Sequence, residues 1–292
     1  MKLGGAGAGA EGQAAPPTTI ARLPFSPDRV SLIDRGSRSP VRSRMTVFAP
    51  ARAAVSLTYD DGMHEHLDHA MPDLEAVGLR GTFYAHTRPD GGSGFTARPL
   101  EWAAAAARRG HELGNHTRHH ACRRAGAGRS LFDYTLPQIE QELRGAAADL
   151  DAVVGPAVRS FAYACCDTDV GPADAPVSYV DVCDRLFPAA RVGGDALADP
   201  STVDLRRVPS LVVREGVPVD RVVAFVDEAI ERGHWAVLMF HGVGGGWLNV
   251  ERRDHQAICA AVAGRANRLW CDTFVNVALR VRAATNRPWR GE

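Results

Sequence analysis

Ala53-Ala54-Val55-Ser56-Leu57-Thr58, followed at once by Tyr59-Asp60-Asp61-Gly62, is an apolar run that ends on two carboxylates and a turn residue. A continuous apolar run of this length reads as a strand covered on both faces, the pattern of a parallel sheet. Leu67, Ala70, Met71, Leu74 and Val77 follow at helical spacing, with Gly78 placed to end the helix. Leu79–Ala85 reads as the next strand. The alternation then repeats. Trp102–Arg109 is an Ala-rich helix closed by Gly110, and His111–Asn115 is a short strand. Thr135-Leu136-Pro137-Gln138 forms a capping box for a helix that carries Ile139, Leu143, Ala147 and Leu150 and stops at Gly155. Val158–Tyr163 is a strand, 177–187 a helix and Ala189–Val192 extended. Val219–Glu231 is a helix and Trp235–Phe240 a strongly apolar strand. Helices near 254–265 and 273–284 flank a short run at Leu269–Cys271. Strand–helix alternation of this kind builds a parallel sheet under helices. About seven parallel strands point to a distorted (β/α) barrel in the α/β class, with its chemistry at the C-terminal strand ends.

Composition sets the bounds. The 292 residues are 45% hydrophobic, enough for a sizeable core, and no run is long enough to cross a membrane. Lys+Arg and Asp+Glu both total 34, so net charge gives no reason to expect nucleic acid or a membrane as partner. The first 45 residues differ from the rest. They are low in complexity and then Arg-rich, and read as a disordered or draped extension before a domain over 46–292. The start, MKLGGAGAGAEGQ, has no apolar h-region and reads as no secretory signal, so a cytoplasmic protein is expected. Six cysteines without a CxxC pair read as free thiols, with Cys165 and Cys166 close to a strand end. Self-association is left open.

The polar clusters follow the strand ends. Asp60 and Asp61 leave one strand in adjacent positions, which point to opposite sides. One carboxylate can then bind a metal while the other stays free as a base. His116-Thr117-Arg118-His119-His120 follows another strand, and the i, i+4 spacing would put His116 and His120 on one face of a helical turn. Two imidazoles and a carboxylate make a three-ligand set with a position left open for water, as catalytic zinc sites have. His119 breaks that pattern. His64, His66 and His69 read as helix-surface residues. His241, after the Trp235–Phe240 strand and before Gly242-Val243-Gly244-Gly245-Gly246-Trp247, suits an acid/base role. The Gly-rich run lacks the Lys-Ser/Thr of a phosphate loop.

Together these motifs resemble the polysaccharide deacetylases, carbohydrate esterase family 4, over roughly residues 50–280. Thr58-Tyr59-Asp60-Asp61-Gly62 is similar to the family's first motif and His116 to His120 to its second. Arg159-Ser160-Phe161-Ala162-Tyr163 matches the third in part, with Ala164 where a Pro is expected. Met239-Phe240-His241 resembles the Leu-x-His motif. Asp195 and Asp204 are the candidates for the fourth. The resemblance implies metal ligation by Asp61, His116 and His120, with Asp60 as general base and Arg159 holding it. It implies His241 as general acid and the backbone N–H of Tyr163 facing the oxyanion. Met239 and Trp247 would wall the acyl methyl. The implied cofactor is one divalent ion, with zinc favoured for this donor set and Co, Ni, Mn or Fe as substitutes. The implied reaction is metal-dependent removal of an N-acetyl or other acyl group from an amino sugar, its oligomer or its conjugate. The rivals are hydrolysis of another C–N or ester bond on the same fold (cyclic imide or amide, N-formyl, O-acetyl) and a non-catalytic carbohydrate-binding relative.

Overall fold

The computed structural model describes residues 46–88, 93–124, 129–289 and 291. The expected 1–45 extension lies outside the described residues. The strands are β1 (Ala53–Tyr59), β2 (Thr82–Ala85), β3 (Glu112–Asn115), β4 (Phe161–Ala162), β5 (Asp169–Val170), β6 (Val177–Ser178), β7 (Ala190–Arg191), β8 (Leu211–Val212), β9 (Trp235–Phe240) and β10 (Leu269–Cys271). The helices are α1 (Met71–Ala76), α2 (Gly94–Ala97), α3 (Pro99–Arg109), α4 (Leu136–Val154), α5 (Val180–Leu186), α6 (Val219–Arg232), α7 (Arg252–Ala263) and α8 (Phe274–Ala284).

The main sheet runs β7-β4-β3-β2-β1-β9-β8, with β10 also on β1, and each of its strand pairs is parallel. One side of β1 is shared. Ala53–Val55 pair with β10, and Thr58 and Tyr59 pair with β2. A parallel bridge from Arg191 to Val208 brings the chain entering β8 against β7. The sheet is thus curled as a distorted (β/α) barrel, as the alternation of strands and helices predicts.

Period-2 alternation sorts β1. Ala53, Val55, Leu57 and Tyr59 join the large core with Leu74, Phe83, Val226 and Ile258, while Ala54 packs with Trp235, Val237 and Phe274. The capping box is present: Gln138 Oε1 accepts from the Thr135 N–H at 2.8 Å. Gly110 and Gly233 end α3 and α6 in the left-handed conformation.

The helix expected over Leu67–Val77 is a π-turn at His66–Ala70 that runs into α1. His66, expected on the helix surface, is fully buried. Its Nδ1 accepts from the Met63 N–H (3.2 Å), which leaves the proton on Nε2 for the His241 carbonyl (2.9 Å). His69 Nδ1 meets the Val243 carbonyl at 2.7 Å, while His64 is exposed. Burial pulls His66 down to about 4. Between its ordinary value near 6.5 and about 4 the unfolded chain therefore takes up a proton that the native chain refuses. Stability is expected to fall over that window by on the order of 3 kcal/mol as pH drops. Urea unfolding across pH 7.5 to 4 checks this, and His66→Gln should flatten the acid limb.

The expectation of free thiols is corrected at one pair. Cys122 and Cys165 form a disulfide, with Cα atoms 5.8 Å apart, while Cys166, Cys183, Cys259 and Cys271 are free. Sequence spacing could not foretell it, because 43 residues separate the two sulfurs along the chain and only the rim brings them together. A loop of that length corresponds to roughly 4 kcal/mol in the chain-entropy picture. Cys122→Ser is expected to lower the melting temperature under non-reducing conditions, and reduction of the parent chain should reproduce the drop.

Candidate functional site

β1 presents the first two groups. Tyr59 turns outward, stacked between Phe83 and Phe240, and its hydroxyl meets His255 Nε2 at 2.8 Å. His255 Nδ1 faces Asp73 at 3.2 Å, so a buried Tyr–His–Asp chain anchors the strand end. Alternation turns Asp60 the other way, into the barrel mouth. Asp61 then takes a left-handed conformation (φ 76°). Gly62 follows at φ 58°, where an added Cβ would come within 2.9 Å of Ala85 Cβ, so glycine lets this turn sit against the end of β2.

Asp60 is buried and gripped by Arg191, whose Nη2 lies 2.7 Å and 2.5 Å from the two carboxylate oxygens. Burial would raise the Asp60 carboxyl, but Arg191, with His116 and His241, outweighs it and holds the group below its ordinary value.

The three expected ligands converge. Asp61, His116 and His120 each offer an atom, and these atoms lie within 4.8 Å of one another. Asp61 Oδ1 is 3.4 Å from His116 Nε2 and 3.1 Å from His120 Nε2. The imidazoles do not meet on a helix. The segment is irregular, with Thr117 at φ 64° and His120 at φ 53°. Asn115 Oδ1 accepts from the Thr117 N–H, and Thr117 Oγ1 from the His120 N–H, both at 2.9 Å.

The donor chemistry fits a cation. His116 Nδ1 lies 2.8 Å from the Ala162 carbonyl, which accepts its proton and leaves Nε2 bare. His120 Nδ1 lies 3.7 Å from the disulfide sulfur of Cys122, which can only accept, so its Nε2 is bare as well. Asp61 Oδ1 is buried without a hydrogen-bond partner. A carboxylate oxygen facing two nitrogen lone pairs is the arrangement that a divalent ion resolves. Burial lowers His116, but Asp60 and Asp61 outweigh it and raise the imidazole above its usual range. Burial would likewise raise Asp61, and its contacts to His116 and His120 hold it well below the usual range.

His241 Nε2 lies 3.9 Å from Asp60 Oδ2, on the β9 side of β1. Burial lowers its imidazole despite the neighbouring carboxylates, and its Nδ1 is buried without a partner. Neither candidate for the fourth motif meets it: Asp195 accepts from the Val212 N–H, and Asp204 pairs with Arg206.

Two expectations are corrected. Arg159 does not hold Asp60. It precedes β4, so it sits at the opposite end of the strand from the rim, where its guanidinium reaches Asp151 and the Leu113 and Gly155 carbonyls. Arg191, the last residue of β7, arrives at the correct end instead. The backbone N–H of Tyr163 does not face an oxyanion, because it donates to the Arg191 carbonyl at 3.1 Å and its side chain packs among the core residues under α4 and α5. Met239 is buried, on the same face of β9 as His241 by alternation. Trp247 is 63% exposed. His119 turns to Glu142, 2.7 Å away.

Two further residues stand at the rim. Arg191 was hidden in a short extended run, where its place at the strand end was the available signal. His86 directly follows β2, with its ring 5.6 Å from that of His120. Burial, reinforced by His120, pulls it down to about 3 and keeps it neutral.

Fold and rim define the class, a parallel β/α barrel with a carboxylate–imidazole cluster at its C-terminal strand ends. Residues 49–171 match the family model for polysaccharide deacetylases, the family that the motifs resemble. Among solved structures, a Mycobacterium smegmatis protein named as a polysaccharide deacetylase aligns at 16% identity and TM-score 0.55, over 80% of this chain and 91% of its own. The Xyl-CE4 domain of a multidomain xylanase from the hindgut metagenome of Trinervitermes trinervoides gives 17% and 0.51, over 79% and 91%. The Bc1960 peptidoglycan N-acetylglucosamine deacetylase gives 16% and 0.50, over 81% and 89%. At such identities the likeness is one of fold. No curated protein sequence matches the chain.

Proposed function

We propose that this chain is a divalent-metal-dependent hydrolase that removes an acetyl group from an N-acetylated sugar. The observation that carries the reading is the convergence of Asp61, His116 and His120 beside an Asp60 locked to Arg191. The family match over 49–171 supports the substrate class. Asp61, His116 and His120 would hold the ion, which when bound polarises the acyl oxygen and acidifies water.

The remaining work falls to side chains. Asp60, kept ionised by Arg191, accepts a proton from the attacking water. His241, on the other side of Asp60, hands a proton to the departing nitrogen, which as an amine leaves poorly without one. Met239 lies beneath on the same strand face and offers the acyl methyl an apolar contact.

Metal analysis of the purified chain, combined with product release from acylated substrates, tests this. N-acetyl amino sugars, their oligomers, an N-formyl analogue, an O-acetyl ester and a cyclic imide form the panel. Acetate release from the amino sugars, abolished by chelation and restored by zinc, is the expected result. A chain that takes up no divalent ion, or that prefers the imide, would overturn the proposal.

A further inference from the structure

We propose that His86 contacts the substrate at this site, donating a hydrogen bond from its imidazole to an oxygen of the acyl group. The inference rests on the deacetylase reading above and adds a residue to it.

β2 lies between β1 and β3, so the residue that follows it stands between the Asp60–Gly62 turn and the His116–His120 segment. Both neighbours are tied to the end of β2. The Ala85 carbonyl accepts from the His116 N–H at 3.2 Å, and the Gly62 turn lies against Ala85. His86 is therefore held at the mouth by its backbone. His241 stands on the β9 side of β1 and His86 on the β2 side, so an acyl carbon placed over the ligand set would lie between two imidazoles.

His86 is 8% exposed, and its Nδ1 is sealed from solvent with no partner. Sealed polar atoms without partners are rare in folded proteins. The tautomer that makes Nδ1 a bare acceptor carries the proton on Nε2, and it avoids burying an unpaired N–H. Nε2 is then a neutral donor, which a neighbouring cation tolerates as it would not tolerate an imidazolium. A developing oxyanion next to the ion needs such a donor. The N–H expected to serve as that donor, of Tyr163, is spent on the Arg191 carbonyl.

The experiment compares His86→Phe, which keeps a ring but removes the donor, with His86→Gln, which retains an N–H, in the full chain loaded with zinc. kcat/KM for the best N-acetyl sugar, the zinc dissociation constant and the calorimetric affinity for acetate are measured. His86→Phe is expected to lower kcat/KM by roughly 10²-fold, with acetate affinity falling and zinc affinity unchanged. His86→Gln should recover about tenfold of that loss. Unchanged kcat/KM and acetate affinity in His86→Phe would overturn the proposal. So would parallel loss of zinc affinity in both variants, which would make His86 a prop for His120. If the parent chain releases no acetate, the deacetylase reading has failed, and acetate affinity alone then decides for or against His86.

Discussion

Asp60→Asn is expected to lower kcat by about 10²–10⁴-fold, the range for a positioned general base, with zinc content and zinc affinity unchanged. The amide is nearly the size of the carboxylate and leaves Asp61, His116 and His120 in place. It cannot accept the water's proton at neutral pH. Asp61→Ala should fail the other way, losing the ion first and activity in consequence. Atomic absorption beside single-turnover kinetics separates the two. Equal zinc content and equal activity in Asp61→Ala would remove the assignment of ligand and base together.

Arg191→Met is expected to destabilise the fold by about 3–5 kcal/mol, because it strands the buried Asp60 carboxylate without its counter-charge. The surviving carboxyl escapes part of that penalty by binding a proton. The acid limb of the pH–rate profile should accordingly move to higher pH. Arg159→Met should leave that limb where it is, since its partner Asp151 is far more exposed and lies away from the rim. Denaturant melts and pH–rate profiles of both variants make the comparison. A shift with Arg159→Met and none with Arg191→Met would contradict the geometry.

Much of the fold was legible because its strands are buried on both faces and its helices are amphipathic. β1 and β9 stand out as continuous apolar runs, and α4 announces itself by its capping box. β8 and the β5–β6 hairpin were missed, since strands of two residues carry no period to read. The ligand set was legible because Asp60-Asp61-Gly62 and the His116–His120 segment are local clusters. The helical route to their convergence was wrong, as the left-handed Thr117 and His120 show. Arg159 was misplaced because a strand's direction decides which end of the barrel a residue reaches, and β4 begins after it. His66 was misread because helix spacing alone does not reveal that the Gly-rich loop lies over that face.

The Cys122–Cys165 bond has a consequence for anyone reshaping this protein. Barrel loops usually behave as separable modules on a fixed frame, open to exchange one at a time. Here the segment after β3 is welded to the one after β4, and the Arg123 N–H adds a second clasp to Asp167 at 2.7 Å. The two must be grafted, shortened or randomised as a single cassette, and a library that varies one alone samples mostly broken mouths.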